Sequence, residues 1–240
     1  MNTLGSTSQL PPLWRRALAE FVGTGLLVAV VVGSGIAAER LSADVGLQLL
    51  ENSIATAMGL GVLILLLAPV SGAHFNPAVS LAGFALRARR VPDPEPDALS
   101  AAALGVYIVG QVTGGIAGAV LANAMFTAPT SFSLTERASP STFLAEIVAT
   151  AGLVLLIGGL TRAGCSTPVV ATAVGAYIGA AYWFTSSTSF ANPAVTVGRI
   201  FTDTFAGIAP ASALVFVGAQ LLGAALGVAL TVALFPRPPR

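Results

Sequence analysis

The tripeptide Asn-Pro-Ala occurs twice in this chain, at Asn76-Pro77-Ala78 and at Asn192-Pro193-Ala194, each time behind a long apolar stretch and ahead of one too short to span a bilayer. Asn is a strong helix N-cap and Pro is favoured at the first helical position, so each tripeptide predicts the start of a short helix. The surroundings are those of a membrane protein: 55% of residues are hydrophobic, 9% are charged and the mean hydropathy is +0.86. Any fold for this chain has to accommodate two half-length helices that begin at polar caps inside an apolar setting.

Six apolar segments can be read, at about 14–37, 49–70, 99–126, 141–160, 167–185 and 209–235, each near the roughly 20 residues that cross about 30 Å of hydrocarbon. Residues 1–12 lack a charged n-region with a nearby small-residue cleavage site, so the first segment is expected to be retained. Arg15 and Arg16, then Arg87, Arg89 and Arg90, then Arg162, then Arg237 and Arg240 flank alternate segments. The positive-inside rule therefore predicts that both termini are cytoplasmic. Residues 91–97, with three prolines among acids, read as the loop that joins two halves.

An internal repeat marks the same seam. Ala19-Glu20-Phe21-Val22-Gly23-Thr24 resembles Ala145-Glu146-Ile147-Val148-Ala149-Thr150, the two Asn-Pro-Ala motifs follow in the same order, and Gln111 and Gln220 close each half. The chain is thus expected to be one transmembrane domain over 1–240, with halves at about 13–91 and 98–236. Three spans per half is an odd number, so the second half enters the bilayer upside down, and such inverted repeats put their working site at the midplane.

A helix of about ten residues is about 15 Å long, half the hydrocarbon thickness. Helices over 76–86 and 192–200 are therefore predicted to meet end to end, N-terminus to N-terminus. Each end carries roughly half a positive charge, which opposes the passage of cations and hydrated protons. Each Asn can cap with its carboxamide oxygen and turn its NH₂ donors toward a lumen. Glycines at four-residue spacing, Gly110, Gly114 and Gly118, Gly175 and Gly179, and Gly223 and Gly227, give faces where helix backbones can touch.

Ser71-Gly72-Ala73-His74-Phe75-Asn76-Pro77-Ala78-Val79 and the paired Ala-Glu segments resemble the major intrinsic protein family, the aquaporins and aquaglyceroporins, over nearly the whole chain. The resemblance implies an all-α membrane protein, a right-handed bundle of six transmembrane helices plus two re-entrant half-helices. It also implies a pore in each subunit and a homotetramer. The family usually carries Arg directly after the second Asn-Pro-Ala, where this chain has Val195. By the same resemblance the other selectivity-filter positions fall on Thr56, Tyr182 and Ser189, a constriction wider and less polar than a strict water filter. Val195 to Arg199 followed by Asp203 to Ile208 is similar to bacterial aquaglyceroporins linked to arsenic detoxification, which pass neutral arsenicals.

Arg199 lies one turn after Val195 and is either a displaced filter charge or an interface charge; pairing with Asp203, four residues on, is the expected arrangement. Glu20 and Glu146 are expected, by the resemblance, to brace the re-entrant loops by accepting backbone N–H groups, and His74 to brace the first of them. A single histidine and a single cysteine, Cys165, leave no His/Cys metal cluster and no internal disulfide, and neither a cofactor nor an enzymatic activity is expected. The expected partners are small neutral solutes and the lipid bilayer, with no nucleic acid. A passive channel for glycerol, water and neutral trivalent arsenicals such as arsenite is the leading reading. The alternatives are a strict water or glycerol channel and, in a different class, an ion-coupled secondary transporter built on the titration of Glu20 or Glu146.

Overall fold

The computed structural model describes residues 11–88 and 99–235. The segment 91–97, together with Arg89, Arg90, Arg237 and Arg240, lies outside them. Eight α-helices follow in order among the described residues: α1 (Leu13–Leu41), α2 (Val45–Ser71), α3 (Pro77–Ala88), α4 (Ala101–Met125), α5 (Pro140–Arg162), α6 (Thr167–Phe184), α7 (Pro193–Gly198) and α8 (Pro210–Leu234). All but α3 and α7 are long and apolar enough to cross a membrane.

Helix starts follow ordinary capping chemistry. Asp44 accepts from the Leu47 N–H, Ser100 from Ala103, and Ser139 forms a reciprocal capping box with Thr142 ahead of Pro140. At the other end of α2 the chain turns out of the helix at Gly72, whose φ of 88° is the left-handed conformation that glycine adopts without strain.

The repeat is visible in the packing. Helix α1 packs on α4 and α2 just as α5 packs on α8 and α6, while α2 meets α6 between the halves. The short helices cross over, α3 packing on α8 and α7 on α4. Glycines set the closest approaches: a Cβ on Gly114 would collide with the Phe21 carbonyl, and one on Gly223 would lie 2.6 Å from the Ile147 carbonyl, the same contact in the other half. Side-chain volume is exchanged between repeat-related positions. The Phe75 ring fills the space over Gly23, whereas the equivalents in the second half are Ala191 and Ala149.

The second short helix departs from the sequence expectation. Instead of running over 192–200, α7 ends at Gly198 and tightens into a 3₁₀ turn at Arg199–Phe201. The last carbonyls are claimed from outside: Ser133 N–H donates to Ile200 O at 2.8 Å and Asn123 Nδ2 to Phe201 O at 2.9 Å. With those acceptors satisfied by distant partners, continued i to i−4 bonding gains nothing and the chain leaves the helix.

Candidate functional site

The two re-entrant loops meet through their asparagines. Asn76 Oδ1 accepts from Ala78 N–H at 2.9 Å and from Val79 N–H at 3.4 Å, capping α3, while its Nδ2 donates to Ala191 O at 2.8 Å. Asn192 caps α7 through Ala194 and Val195 and donates its Nδ2 to Phe75 O at 2.8 Å. Each asparagine therefore ties its own helix start to the residue preceding the other asparagine. One correction follows for the donors: half of each NH₂ group is spent on this crossed pair, so a single N–H per asparagine remains for a passing solute.

Two buried carboxylates hold the loops in place. Glu20 accepts from Ser71 Oγ (2.6 Å), His74 N–H (3.0 Å), Phe75 N–H (2.7 Å) and Gln111 Nε2 (2.7 Å). Glu146 accepts from Ser187 Oγ (2.6 Å), Phe190 N–H (2.9 Å), Ala191 N–H (2.9 Å) and Gln220 Nε2 (2.6 Å). Because a trans peptide sets C=O opposite the next N–H, drawing these N–H groups toward the glutamates turns the carbonyls of Ala73, His74, Phe190 and Ser189 away from them. The backbone reaches this shape with positive φ at Ala73, Phe75, Ser189 and Ala191, between 47° and 51°, an unfavourable region for non-glycine residues that four hydrogen bonds per carboxylate maintain.

His74 sits between the two systems: its Nδ1 lies 3.0 Å from Ser80 Oγ and its ring stands edge-on to Tyr107 at 5.6 Å between centroids. Tyr107 donates to Ser71 O and accepts from Arg16 Nε, both at 2.8 Å. Cys165 lines a cavity of about 270 Å³ with Ala68, Gly72, Thr161 and Val170, beside the exit from α2 into the first loop.

Thr56, Tyr182, Ser189 and Val195 are all buried, and Thr56 Oγ1 and Tyr182 Oη lie 3.1 Å apart, joining α2 to α6. The Ser189 hydroxyl is buried without a hydrogen-bond partner. Arg199 corrects the expected pairing. Its Nε donates to Ala206 O and its guanidinium lies 3.4 Å from the centroid of the Phe190 ring. Asp203 instead accepts from Leu134 N–H at 3.0 Å and Ser133 Oγ at 3.2 Å. An i, i+4 pair requires a continuous α-helix, and the chain has already turned extended at Thr202. Arg199 is itself 4% exposed, about as little as Thr56, Tyr182, Ser189 and Val195.

Residues without an assigned role in the sequence complete the site. Ser71 and Ser187 support the glutamates, and Ser80 and Thr196 hold Gln111 and Gln220 at 2.9 Å. The pairs Ser71 with Ser187 and Ser80 with Thr196 keep the offset that pairs Asn76 with Asn192, so the Asn-Pro-Ala repeat was the signal for them. Arg137, in the loop before α5, is a different case. Its Nε donates to Gly207 O at 2.6 Å and its Nη2 to Phe205 O at 2.7 Å, and burial lowers its pKa from the usual arginine value. It has no repeat mate and no sequence signal beyond its charge.

Comparison with known proteins gives the same architecture. The chain is 50% identical over 219 residues to the aquaglyceroporin AqpS of Rhizobium meliloti (strain 1021), covering 91% of this chain and 89% of that protein. It is 36% identical over 122 residues to a glycerol uptake facilitator protein of Pseudomonas aeruginosa, covering 49% of this chain and 38% of the relative. The solved structure of the aquaglyceroporin from Plasmodium falciparum superposes with a TM-score of 0.70 at 19% identity, covering 92% of this chain and 94% of that one, a likeness of fold. With the family model for Major intrinsic protein matching residues 7–189, and crossed asparagine caps joining the two re-entrant loops, the chain belongs to the major intrinsic protein family.

Proposed function

We propose that the protein is a passive transmembrane channel for small neutral solutes, aquaglyceroporin-like, that admits glycerol, water and neutral trivalent arsenicals such as arsenite. The observation that carries this reading is the crossed Asn76–Ala191 and Asn192–Phe75 hydrogen bonding, which brings two helix N-termini together with one amide N–H left on each side. A solute with lone pairs can accept those N–H groups in single file while the opposed helix ends repel cations. The As(OH)₃ form of arsenite presents hydroxyls as a triol does, so the same donors serve it.

Selectivity is assigned to Thr56, Tyr182, Ser189 and Val195. Apolar Val195, where the family usually has arginine, supports a wider constriction, and the Thr56 and Tyr182 hydroxyls supply polar contacts on one side of it. Arg199, drawn onto Phe190 one residue from Ser189, supports the displaced-charge reading of this region over an outer-interface anchor. The fourfold hydrogen bonding of both glutamates favours bracing over the proton exchange that a coupled transporter needs. A homotetramer in the bacterial plasma membrane, with both termini cytoplasmic, completes the proposal. Stopped-flow measurements on proteoliposomes presented in turn with water, glycerol and arsenite test it: all three fluxes should exceed those of empty liposomes, and a protein that passes water alone contradicts the aquaglyceroporin reading.

A further inference from the structure

Two guanidinium groups converge on one ring in the half of the protein that contains α7. Arg199 Cζ lies 3.4 Å and Arg137 Cζ 5.7 Å from the Phe190 centroid, so the two charges stand no more than about 9 Å apart, within strong mutual repulsion in a poorly hydrated setting. Neither has a carboxylate partner among the described residues. Asp203 is taken by Leu134 and Ser133, Glu136 accepts from Ser212 Oγ at 2.6 Å, and Glu39 accepts from Phe205 N–H at 3.3 Å. Glu146 lies close enough to act on Arg199 through space, but all four of its hydrogen bonds are made to the second loop and to Gln220.

The donors of this pair are only partly used. Arg199 gives Nε to Ala206 O, and Arg137 gives Nε and Nη2 to Gly207 O and Phe205 O. No protein acceptor among the described residues takes the Arg199 terminal NH₂ groups. The repeat-related ring pair in the other half makes the contrast clear: His74 and Tyr107 stand where Phe190 and Phe216 stand here, with Arg16 alone over Tyr107. Like charges gathered beside an apolar ring concentrate counter-ions. Guanidiniums with unfilled N–H groups, buried at Arg199 and half-buried at Arg137, also gain most from an acceptor that carries charge.

We propose that Arg137 and Arg199 form a binding site for one small inorganic anion beside Phe190. A monovalent anion there offsets one of the two positive charges in the resting protein. Because the site adjoins Tyr182 and Ser189, a bound anion narrows the entry to the constriction and competes with an oxygen-rich neutral solute for the same donors. The binding stands apart from the channel reading; the competition rests on it.

Equilibrium binding of radiolabelled chloride to the full-length protein in zwitterionic nanodiscs, buffered with gluconate, tests the site. About one chloride per chain should bind saturably, and Arg137→Gln and Arg199→Gln should each weaken binding about tenfold or more, since each removes one of two nearby charges. Arg199→Lys, which keeps the charge, should bind within a few fold of the wild type, and Arg40→Gln, on the separate Phe126 ring, should match it. Absence of saturable binding to the wild-type protein overturns the site, as does binding that survives both Gln substitutions. If the Gln variants fail to fold, the wild type still decides, because external chloride should slow its glycerol flux relative to gluconate and equal flux in the two salts overturns the competition. Loss of the channel reading would appear differently, as absence of glycerol flux in either salt.

Discussion

Replacing Glu146 by Gln keeps the side chain's size and removes only its charge and half its accepting capacity. Its Oε1 accepts from Ser187 Oγ and Phe190 N–H, and its Oε2 from Ala191 N–H and Gln220 Nε2. An amide can keep one of these oxygens; its NH₂ then faces donors. The better orientation puts the NH₂ toward Ser187, whose hydroxyl can turn to accept, and leaves the Phe190 N–H unpaired and buried. One orphaned backbone N–H, with weaker bonds to the remaining donors, costs about 2–3 kcal/mol after the relief of no longer burying a charge. Glu20→Gln should cost about the same, because Ser71, His74, Phe75 and Gln111 surround it in the same pattern. Unfolding titrations in mixed micelles, paired with glycerol flux in proteoliposomes, read both effects. Stability and flux should fall together in both variants. Two variants as stable as the wild type would refute the bracing argument, and normal stability with lost coupling to a proton gradient would point to a titrating carboxylate.

Asn76→Asp and Asn192→Asp should each abolish most flux for every solute in stopped-flow assays, since each removes the Nδ2 donor to Ala191 or Phe75 and sets a charge where the loops meet. Val195→Arg should reduce glycerol and arsenite flux more than water flux, measured as the ratio of permeabilities in the same vesicles, because it narrows the constriction and adds strong donors. Gly114→Val should prevent recovery of folded protein, read by size-exclusion chromatography in detergent, as its side chain would meet the Phe21 backbone. Proton leak through the wild type should stay near that of empty vesicles in a pH-dye assay despite Val195, because the opposed N-termini of α3 and α7 persist.

The parts of the site that the sequence made legible are those written in local chemistry or in the repeat. Asn76 and Asn192 announce themselves as caps followed by Pro, and Glu20 and Glu146 as equivalent carboxylates on otherwise apolar helices. What it hid depends on distant partners. The 3₁₀ end of α7 follows from Asn123 and Ser133, some seventy residues earlier in the chain, taking the carbonyls of Phe201 and Ile200. The same loop captures Asp203, so a local i, i+4 rule misassigned the partner of Arg199. Arg137 reads as one more loop charge in sequence, and only the fold brings it to the ring that Arg199 already covers.

The central claim is that solutes diffuse past a fixed pair of asparagine caps, without a cycle of conformations or a coupled ion. Glycerol entry into proteoliposomes, followed across a wide range of glycerol concentration with and without an imposed proton gradient, tests it most directly. A rate that rises in proportion to concentration and ignores the gradient is the predicted result; a rate that saturates at low glycerol and follows the gradient would contradict the account.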